Sequence, residues 1–553
     1  MEAEEPSDAQ RADRGDAAAL RRHRAVRLVR ANEPGRARAA LEQTGTLGDI
    51  LSQDVTAWGD QGEATAARPG SVAHEMLEKH PSSAGRDAIP SLDALLAEAA
   101  ADGGAPQTVA SLRAMVEELF ADKGAFSKHV LRLGRLSMPG FDWIRFEHFQ
   151  AVVRAHHAAS LRDFVCCIAM GDVPDADRQY VYGARLVAPS KPGEPDAHRP
   201  IGAGLAFRRL ASGFLAHQLR HKFGARFAPH QLGVGVARGP QSVAAALRLV
   251  LELHPDWVAV KVDFRNAFNE ADRVAMLRFI ARWFPEVLLF VMAAYGVPPY
   301  IIALGPDGWV RFLSQVGCTQ GCGLGPLCFA AALHIVLERV ARAHGDCALV
   351  ALHDDVGLAG PAASVRLALT ALVDAARAEV GLTPTGHKFI FYAASRAAAA
   401  GPAARHCRGI EADILGWTPS AALARGRRCT LQYDGLVQAG VPIGSSEFVA
   451  AGMRARVEAA EALHGQVRLL ECVHSAYIIT RYSLSRKMDY FVGALGGDVM
   501  GCPRTRWWED DGGDSPGAMH ERQMRRTLAV LLPNPFAPEA MRQAVDASSF
   551  DDR

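Results

Sequence analysis

The chain has 553 residues, enough for several domains or one large enzyme with subdomains. Hydrophobic residues make up 49% and charged residues 22%, the balance of a protein that buries a core. No apolar run is long enough to span a bilayer, and the N-terminus carries no cleavable signal pattern. Net charge is +1, yet residues 11–40 hold nine Arg against three acids, and residues 181–230 hold eight Lys or Arg against two. Basic zones on a nearly neutral chain make either a phosphate-binding surface or solvated helix faces. None of the ten cysteines forms a CxxC pair, a pattern of reduced thiols in an intracellular protein rather than of a zinc ribbon or a disulfide framework.

In chain order, residues 1–45 read as helix, with Leu20, Val26, Leu28 and Val29 on an approximate stripe interrupted at Pro34. Residues 52–90 are rich in Gly, Ala, Ser, Thr and Pro and read as a connector. Helices resume with SLDALLAEAA and TVASLRAMVEELFADKGAF. From about residue 180, strand-like runs (YVYGARLVAP, WVAVKVDF, CALVAL) alternate with helix-like runs such as GPQSVAAALRLVLELH and SVRLALTALVDAARAEV. That is an α+β or α/β pattern. Residues 393–430 read as irregular. The turn-like YDGLVQAGVPIGSSEF and a helical C-terminal part follow, with acids gathered at Glu509–Asp514.

Four stretches carry chemistry. WVAVKVDFRNAFNEADRV ends a buried strand on Asp263, placed to ligate a metal or to cap the next helix. In CALVALHDDVGLAG, Cys347–Leu352 and Val356–Ala359 read as two strands with His353, Asp354 and Asp355 at the turn. Adjacent carboxylates repel, so the pair calls for a compensating cation. If Asp263 lies on a neighbouring strand, three carboxylates converge and could hold two divalent cations about 3.5–4 Å apart. Ligation by oxygen alone favours Mg²⁺. QVGCTQGCGLGPLCFAAAL places a Gly-rich turn at Gly317–Gly325 ahead of an apolar helix opening near Pro326, and its backbone N–H groups can approach a nucleotide or a template. Finally, Lys191 and Arg199 flank a Pro/Gly turn ahead of the carboxylates, where two cations can neutralise a triphosphate.

The order of these pieces resembles the reverse transcriptases of non-LTR (LINE-type) retrotransposons over roughly residues 130–500. MPGFDWIRFEHFQ is similar to the motif that precedes the fingers, and APSKPG…HRPIGAGLAFRRLASGFL to fingers motifs one and two. HQLGVGVARGPQSVAAALR is similar to the branch's own insertion. VKVDFRNAFN, GCTQGCGLGPLCFAAAL, LHDD, GLTPTGHKF and LQYDGLVQAGVPIGS resemble motifs A to E in register. AYIITRYSLSRKMDYFVGAL is similar to the thumb, and RAVRLVRANEPGRARAALEQTG and MLEKHP to the segment ahead of the polymerase.

The resemblance implies an α+β right-hand polymerase fold: a helical N-terminal extension with a flexible connector over 1–130, fingers and a palm with an antiparallel sheet over 131–450, and a thumb-like helical region with a tail over 451–553. It implies RNA-directed DNA polymerase activity on an RNA template and DNA primer, or an RNA/DNA hybrid, with dNTPs and two Mg²⁺ ions for which Mn²⁺ can substitute. Asp263, Asp354 and Asp355 would then be catalytic and hold the metal together with the Phe264 carbonyl. Phe268 would be the steric gate against ribose. Lys191 and Arg199 would bind the triphosphate, Gln320 and Gly321 would line the nucleotide, and Lys388 would stand near the departing pyrophosphate. A catalytically inactive or domesticated RNA-binding scaffold is the alternative, and a phosphohydrolase using His353–Asp354 would need further histidines.

The sequence departs from the family in motif C, where Leu352 and His353 replace the usual aromatic-Ala, and in motif B, where Cys322 and Gly323 stand in place of Asp-Pro. His353 is expected to pack or hydrogen-bond, or else to crowd the primer terminus. No endonuclease, zinc knuckle or RNase H pattern is found, so a polymerase core without its own nicking activity is expected. Localisation is expected to be nuclear or cytoplasmic, with only the Arg-rich 21–30 segment as a signal.

Overall fold

The structure, a computed structural model, describes residues 17–42, 47–191, 194–385, 388–393, 430–484, 489–495 and 515–531. Nearly all of the 393–430 stretch and the acidic Glu509–Asp514 segment lie outside the described residues. The protein is α+β, mostly helical with small sheets, and it divides into two compact units. Among the described residues, no helix is long and apolar enough to cross a membrane.

The larger unit comprises residues 45–133 and 137–440. Its strands in chain order are β1 (Val55–Trp58), β2 (Ala64–Ala67), β3 (Ala184–Val187), β4 (Ser190–Lys191), β5 (Glu194–His198), β6 (Ile201–Gly204), β7 (Val258–Val262) and β8 (Phe264–Arg265). There follow β9 (Tyr300–Gly305), β10 (Gly308–Leu313), β11 (Ala348–Leu352), β12 (Asp355–Gly360), β13 (Thr383–Pro384), β14 (Ile390–Ala393), β15 (Thr430–Gln432) and β16 (Gly435–Gln438). The strands expected from WVAVKVDF and CALVAL are therefore present. YVYGARLVAP is split: Tyr180 and Val181 end the helix Asp175–Val181, and only Ala184–Val187 is strand.

The segment 52–90 is a correction to the sequence reading. It is not a bare connector but holds the β1–β2 hairpin and the helix Val72–Lys79, whose Ser71 side chain caps the first turn. Its small residues disguised it. Ala64, Ala67, Ala73 and Met76 are buried against Leu186, Val310 and Phe312 of the sheet β10-β9-β3-β6.

The sheet that positions the carboxylates has the order β11-β12-β7-β14-β15. β7 is central and pairs antiparallel with β12 on one side and with β14 on the other. Its burial on both faces explains the near-continuous apolar run Val258–Val262. The helices Arg273–Trp283, Gly325–Ala343 and Ala362–Val380 supply the core beside it, with Leu277, Phe329, Leu333 and Leu369 fully buried.

The smaller unit comprises residues 1–44, 134–136 and 441–553. Its helices Ala17–Arg30 and Pro34–Glu42 pack with Ser446–Arg468 and Val473–Ile479 around Leu28, Leu41, Leu463, Val467 and Ile479. Pro34 opens the second helix rather than kinking one long helix. Of the expected stripe, Leu28 and Val29 are buried, whereas Leu20 is exposed.

Candidate active site

Val262, the last residue of β7, pairs with Val356, and Asp263 and Asp355 are the chain neighbours of that pair, near enough for the Asp355 charge to act on the Asp263 carboxyl. β11 and β12 close at Leu352↔Asp355, so His353 and Asp354 form a two-residue hairpin turn beside them. His353 takes a left-handed φ of 56° there, a conformation a side chain of this size adopts at a cost. Asp263, directly after β7, Asp354 in the turn and Asp355 at the start of β12 thus lie at the same end of the sheet.

Their electrostatics record the crowding. Asp354 is pushed up from 3.8 to about 6, first by burial and then by the Asp263 and Asp355 charges. Asp263 is also raised, chiefly by burial, against the pull of Lys388 and Lys261. Lys388 Nζ lies 4.0 Å from Asp263 Oδ2. Asp355 is tied down: it accepts from Gln438 Nε2 at 2.9 Å and from the Ala439 N–H at 3.1 Å, with Lys261 Nζ at 3.3 Å. Among the described residues, no three His, Cys, Asp or Glu side chains converge as they stand to hold a metal ion. The donor chemistry still suits a hard cation, since the neighbouring side chains are carboxylates and carry surplus negative charge at a half-buried site.

The turn is held from outside by a residue the sequence reading passed over. Gln231 is fully buried. Its Nε2 donates to the His353 carbonyl at 3.0 Å, and its Oε1 accepts from the His353 and Gly233 N–H groups at 2.7 and 3.0 Å. Backbone bonds Leu232 N–H to Ala351 and Ala351 N–H to His230 add this segment to the edge of β11. The QLGVG segment is therefore a splint for the aspartate turn.

His353 packs, as expected. Its ring lies 6.1 Å from that of Phe268, which in turn stacks on Phe329 at 4.8 Å. A Cβ at Gly233 would sit 2.7 Å from His353 Cε1, so only glycine fits beneath the ring. Gly233→Ala is expected to cost about 1–3 kcal/mol of stability through overpacking. Adding His353→Ala should recover most of it, and strictly additive unfolding free energies in the double-mutant cycle would show that the ring does not lie there.

Phe264 is buried in β8, facing Pro384 of β13. The Phe268 carbonyl accepts from the Cys318 N–H at 2.7 Å, which docks the Gly-rich turn on the short helix Ala267–Glu270 after Asp263. Further along that turn the Gln320 carbonyl accepts from the Gly202 N–H at 2.7 Å. Gly321, at φ 109°, leaves no room for a Cβ against the Gly202 carbonyl. Lys191 is lowered by burial and by the nearby Lys79 and Lys388 charges, so it shares their electrostatic neighbourhood. Arg199 is exposed, and among the described residues its guanidinium carries no hydrogen bond or ion pair. The helix Val72–Lys79 braces this side: Asn266 and Asn269 donate to the Lys79 carbonyl at 2.9 and 2.8 Å, and Glu75 accepts from the His198 N–H at 2.9 Å.

Comparison with known proteins gives a distant relative. The 132 kDa protein of the retrotransposable element SLACS from Trypanosoma brucei gambiense is 28% identical over 225 residues, a homology covering 37% of this chain. The match spans 18% of that relative's length. No family model matches the chain. Among solved structures, a telomerase from Candida albicans in complex with a TWJ fragment of telomeric RNA aligns over 69% of this chain and 68% of its own, at 9% identity and a TM-score of 0.37. An apo telomerase from Candida tropicalis aligns over 68% and 67%, at 9% identity and a TM-score of 0.34.

Proposed function

We propose that this distant homologue of a retrotransposable element protein is a reverse transcriptase of the non-LTR type, an RNA-directed DNA polymerase that extends a primer 3′-OH with dNTPs. The observation that supports the reading is that Asp263, directly after β7, lies near Asp354 and Asp355 at the β11–β12 turn, close enough for their charges to act on one another. In this reading residues 131–450 are fingers and palm of a right-hand polymerase, 451–553 the thumb-like region, and 1–130 the extension.

Asp263, Asp354, Asp355 and the Phe264 carbonyl would hold Mg²⁺, or Mn²⁺ in its place. When bound, the metal neutralises the triphosphate and lowers the pKa of the primer hydroxyl. The chain's own residues do the rest. Gln231 fixes the turn that carries Asp354, while Gln438 and Ala439 fix Asp355. Lys191, Arg199 and Lys388 offer charge to the triphosphate and to the departing pyrophosphate. Gln320 and Gly321 shape the nucleotide side through Gly202. Phe268, stiffened between Phe329 and His353, presents a ring to the sugar 2′ position. Sequence fidelity comes from base pairing, so shape and backbone contacts suffice for the protein.

Incorporation of dTTP and UTP on oligo(dT)-primed poly(rA) tests the assignment. Phe268→Ala should cut the preference for dTTP by roughly 10–200-fold, the range for losing one steric discrimination. A variant as selective as the parent would remove Phe268 from its role.

A second reading, a non-catalytic RNA-binding scaffold, draws support from one observation: both Asp355 oxygens are already engaged, by Gln438 and Lys261 on one and Ala439 on the other.

A further inference from the structure

A cavity of about 340 Å³ lies between the helices Lys123–Arg132 and Ala206–Phe227 of the larger unit. None of the residues lining it belongs to the candidate active site. Its volume is at the lower end of the about 300–1,000 Å³ that holds a small ligand. Lys128, His129 and Arg132 line it from the first helix, His217 from the second, with Asp122 and Leu133 at the two ends of the first.

The charge of the cavity is positive and fixed. Lys128 and Arg132 are exposed, and among the described residues neither pairs with a carboxylate. They stand four places apart on one helix, where like charges repel and weaken the helix. Arg220 donates to the His217 carbonyl at 2.9 Å, and its charge reaches the His217 ring together with that of Arg132. Among the described residues Asp122 is the one carboxylate lining the cavity, and it is engaged as the helix cap, accepting from the Ala125 N–H at 2.9 Å.

Two imidazoles complete the lining, their ring centroids 5.3 Å apart. Burial holds His129 at about 4, and burial with the Arg220 and Arg132 charges holds His217 below its usual range. Both rings are therefore neutral hydrogen-bonding groups at pH 7. His129 packs edge-on against Phe214 at 5.4 Å, and its Nε2 is buried with no hydrogen-bond partner among the described residues. An unpaired buried nitrogen beside two repelling cations costs the fold free energy. Stability does not account for the arrangement.

We propose that this cavity binds a small phosphomonoester. Lys128 and Arg132 hold the phosphate, His217 adds a hydrogen bond, and the organic part lies against Leu133 and the His129 ring. A dianion with several acceptor oxygens uses a guanidinium fork and an ammonium together, whereas a monocarboxylate leaves one cation unanswered. The ligand is a free small molecule rather than one phosphate of a nucleic-acid strand. Gln218, next to His217, donates to the Leu119 carbonyl at 3.3 Å, so the exposed Glu117, Glu118 and Asp122 flank this end of the cavity. They would repel a continuing row of phosphates. Nothing in this site depends on the polymerase reading.

Calorimetric titration of the full chain with ribose 5-phosphate, ribose and oligo(rA) tests the assignment. Ribose 5-phosphate should bind saturably, and ribose should not. Lys128→Gln/Arg132→Gln should weaken ribose 5-phosphate by about 10–100-fold, the range for losing a hydrogen bond to a charged group. Arg132→Lys, which keeps the charge but not the fork, should lose less than the double variant. His217→Phe keeps a ring beside His129 and should cost about 2–10-fold, the share of one neutral hydrogen bond. The double variant should unfold no earlier than the parent, because it removes a repulsion between exposed groups, and this separates lost binding from a folding defect. No saturable binding of ribose 5-phosphate, or binding by the double variant equal to the parent's, overturns the proposal. So does oligo(rA) that displaces ribose 5-phosphate and is weakened as much by the double substitution, which would make the cavity a strand contact.

Discussion

Asp354→Asn is expected to abolish primer extension and, without metal, to unfold at a higher temperature than the parent. Burial and the Asp263 and Asp355 charges raise the Asp354 carboxyl from 3.8 to about 6. The folded state therefore binds that proton more tightly than the unfolded state does. The contribution to stability is present below pH 4 and is lost as pH rises to about 6. Above pH 6 the parent carries the full penalty, about 2–3 kcal/mol at most, which asparagine removes. The variant's advantage in metal-free unfolding should thus appear between pH 4 and 6 and hold at pH 8. A gap of the same size at pH 4 and pH 8 would contradict the origin assigned to it. Activity should move the opposite way. In the polymerase reading Asp354 holds the metal, and its loss should cost extension on the order of 10³-fold or more, beyond the roughly 10–100-fold of an outer-shell partner.

Arg273→Met is expected to be the more damaging change to the fold. Arg273 is almost fully buried and lies over the Tyr295 ring at 5.2 Å, and burial pushes it down to about 10, still protonated at neutral pH. It donates to the carbonyls of Gly317 at 2.8 Å, Tyr295 at 3.1 Å and Ser314 at 2.7 Å, and to Ser314 Oγ at 3.0 Å. Methionine fills the space but strands those carbonyls, each at a cost of about 1–3 kcal/mol when nothing replaces the donor. A net loss of about 3–5 kcal/mol is expected, read as an unfolding midpoint lower by on the order of 10 °C. Lysine keeps the charge but cannot fork to three directions, and should recover less than half. The same carbonyls lead into the Gly-rich turn, so in the polymerase reading nucleotide selection should degrade as well. An Arg273→Met protein as stable as the parent would show that these carbonyls find other donors.

How much of this was legible beforehand depends on range. WVAVKVDF and CALVALHDDVGLAG announced two strands and a turn, because β-branched and apolar runs ending on carboxylates have few other uses. β7, which Asp263 directly follows, does pair with β12, while among the described residues no three acids, histidines or cysteines converge as they stand to hold a metal ion. What stayed hidden was held by distant partners. Gln231 reaches His353 across 122 positions, and Gln438 reaches Asp355 across 83, and no local pattern marks either glutamine. Lys261 was visible as a cation inside a buried strand, a signal that could have paired it with the acids one turn of the pleat away. The connector misled because Ala64, Ala67 and Ala73 carry too little hydrophobicity to show a period, although each is buried. The role of His353 could not be weighed without Gly233, whose missing side chain makes space for the ring.

The claim that these three aspartates form a working polymerase site is tested most directly by dTTP incorporation on oligo(dT)-primed poly(rA), with Mg²⁺ and then Mn²⁺, by the parent and by Asp263→Asn. The account predicts metal-dependent extension by the parent and none by the variant. Poly(rA) bound by both proteins, with no extension under either metal, would contradict it and leave the scaffold reading in its place.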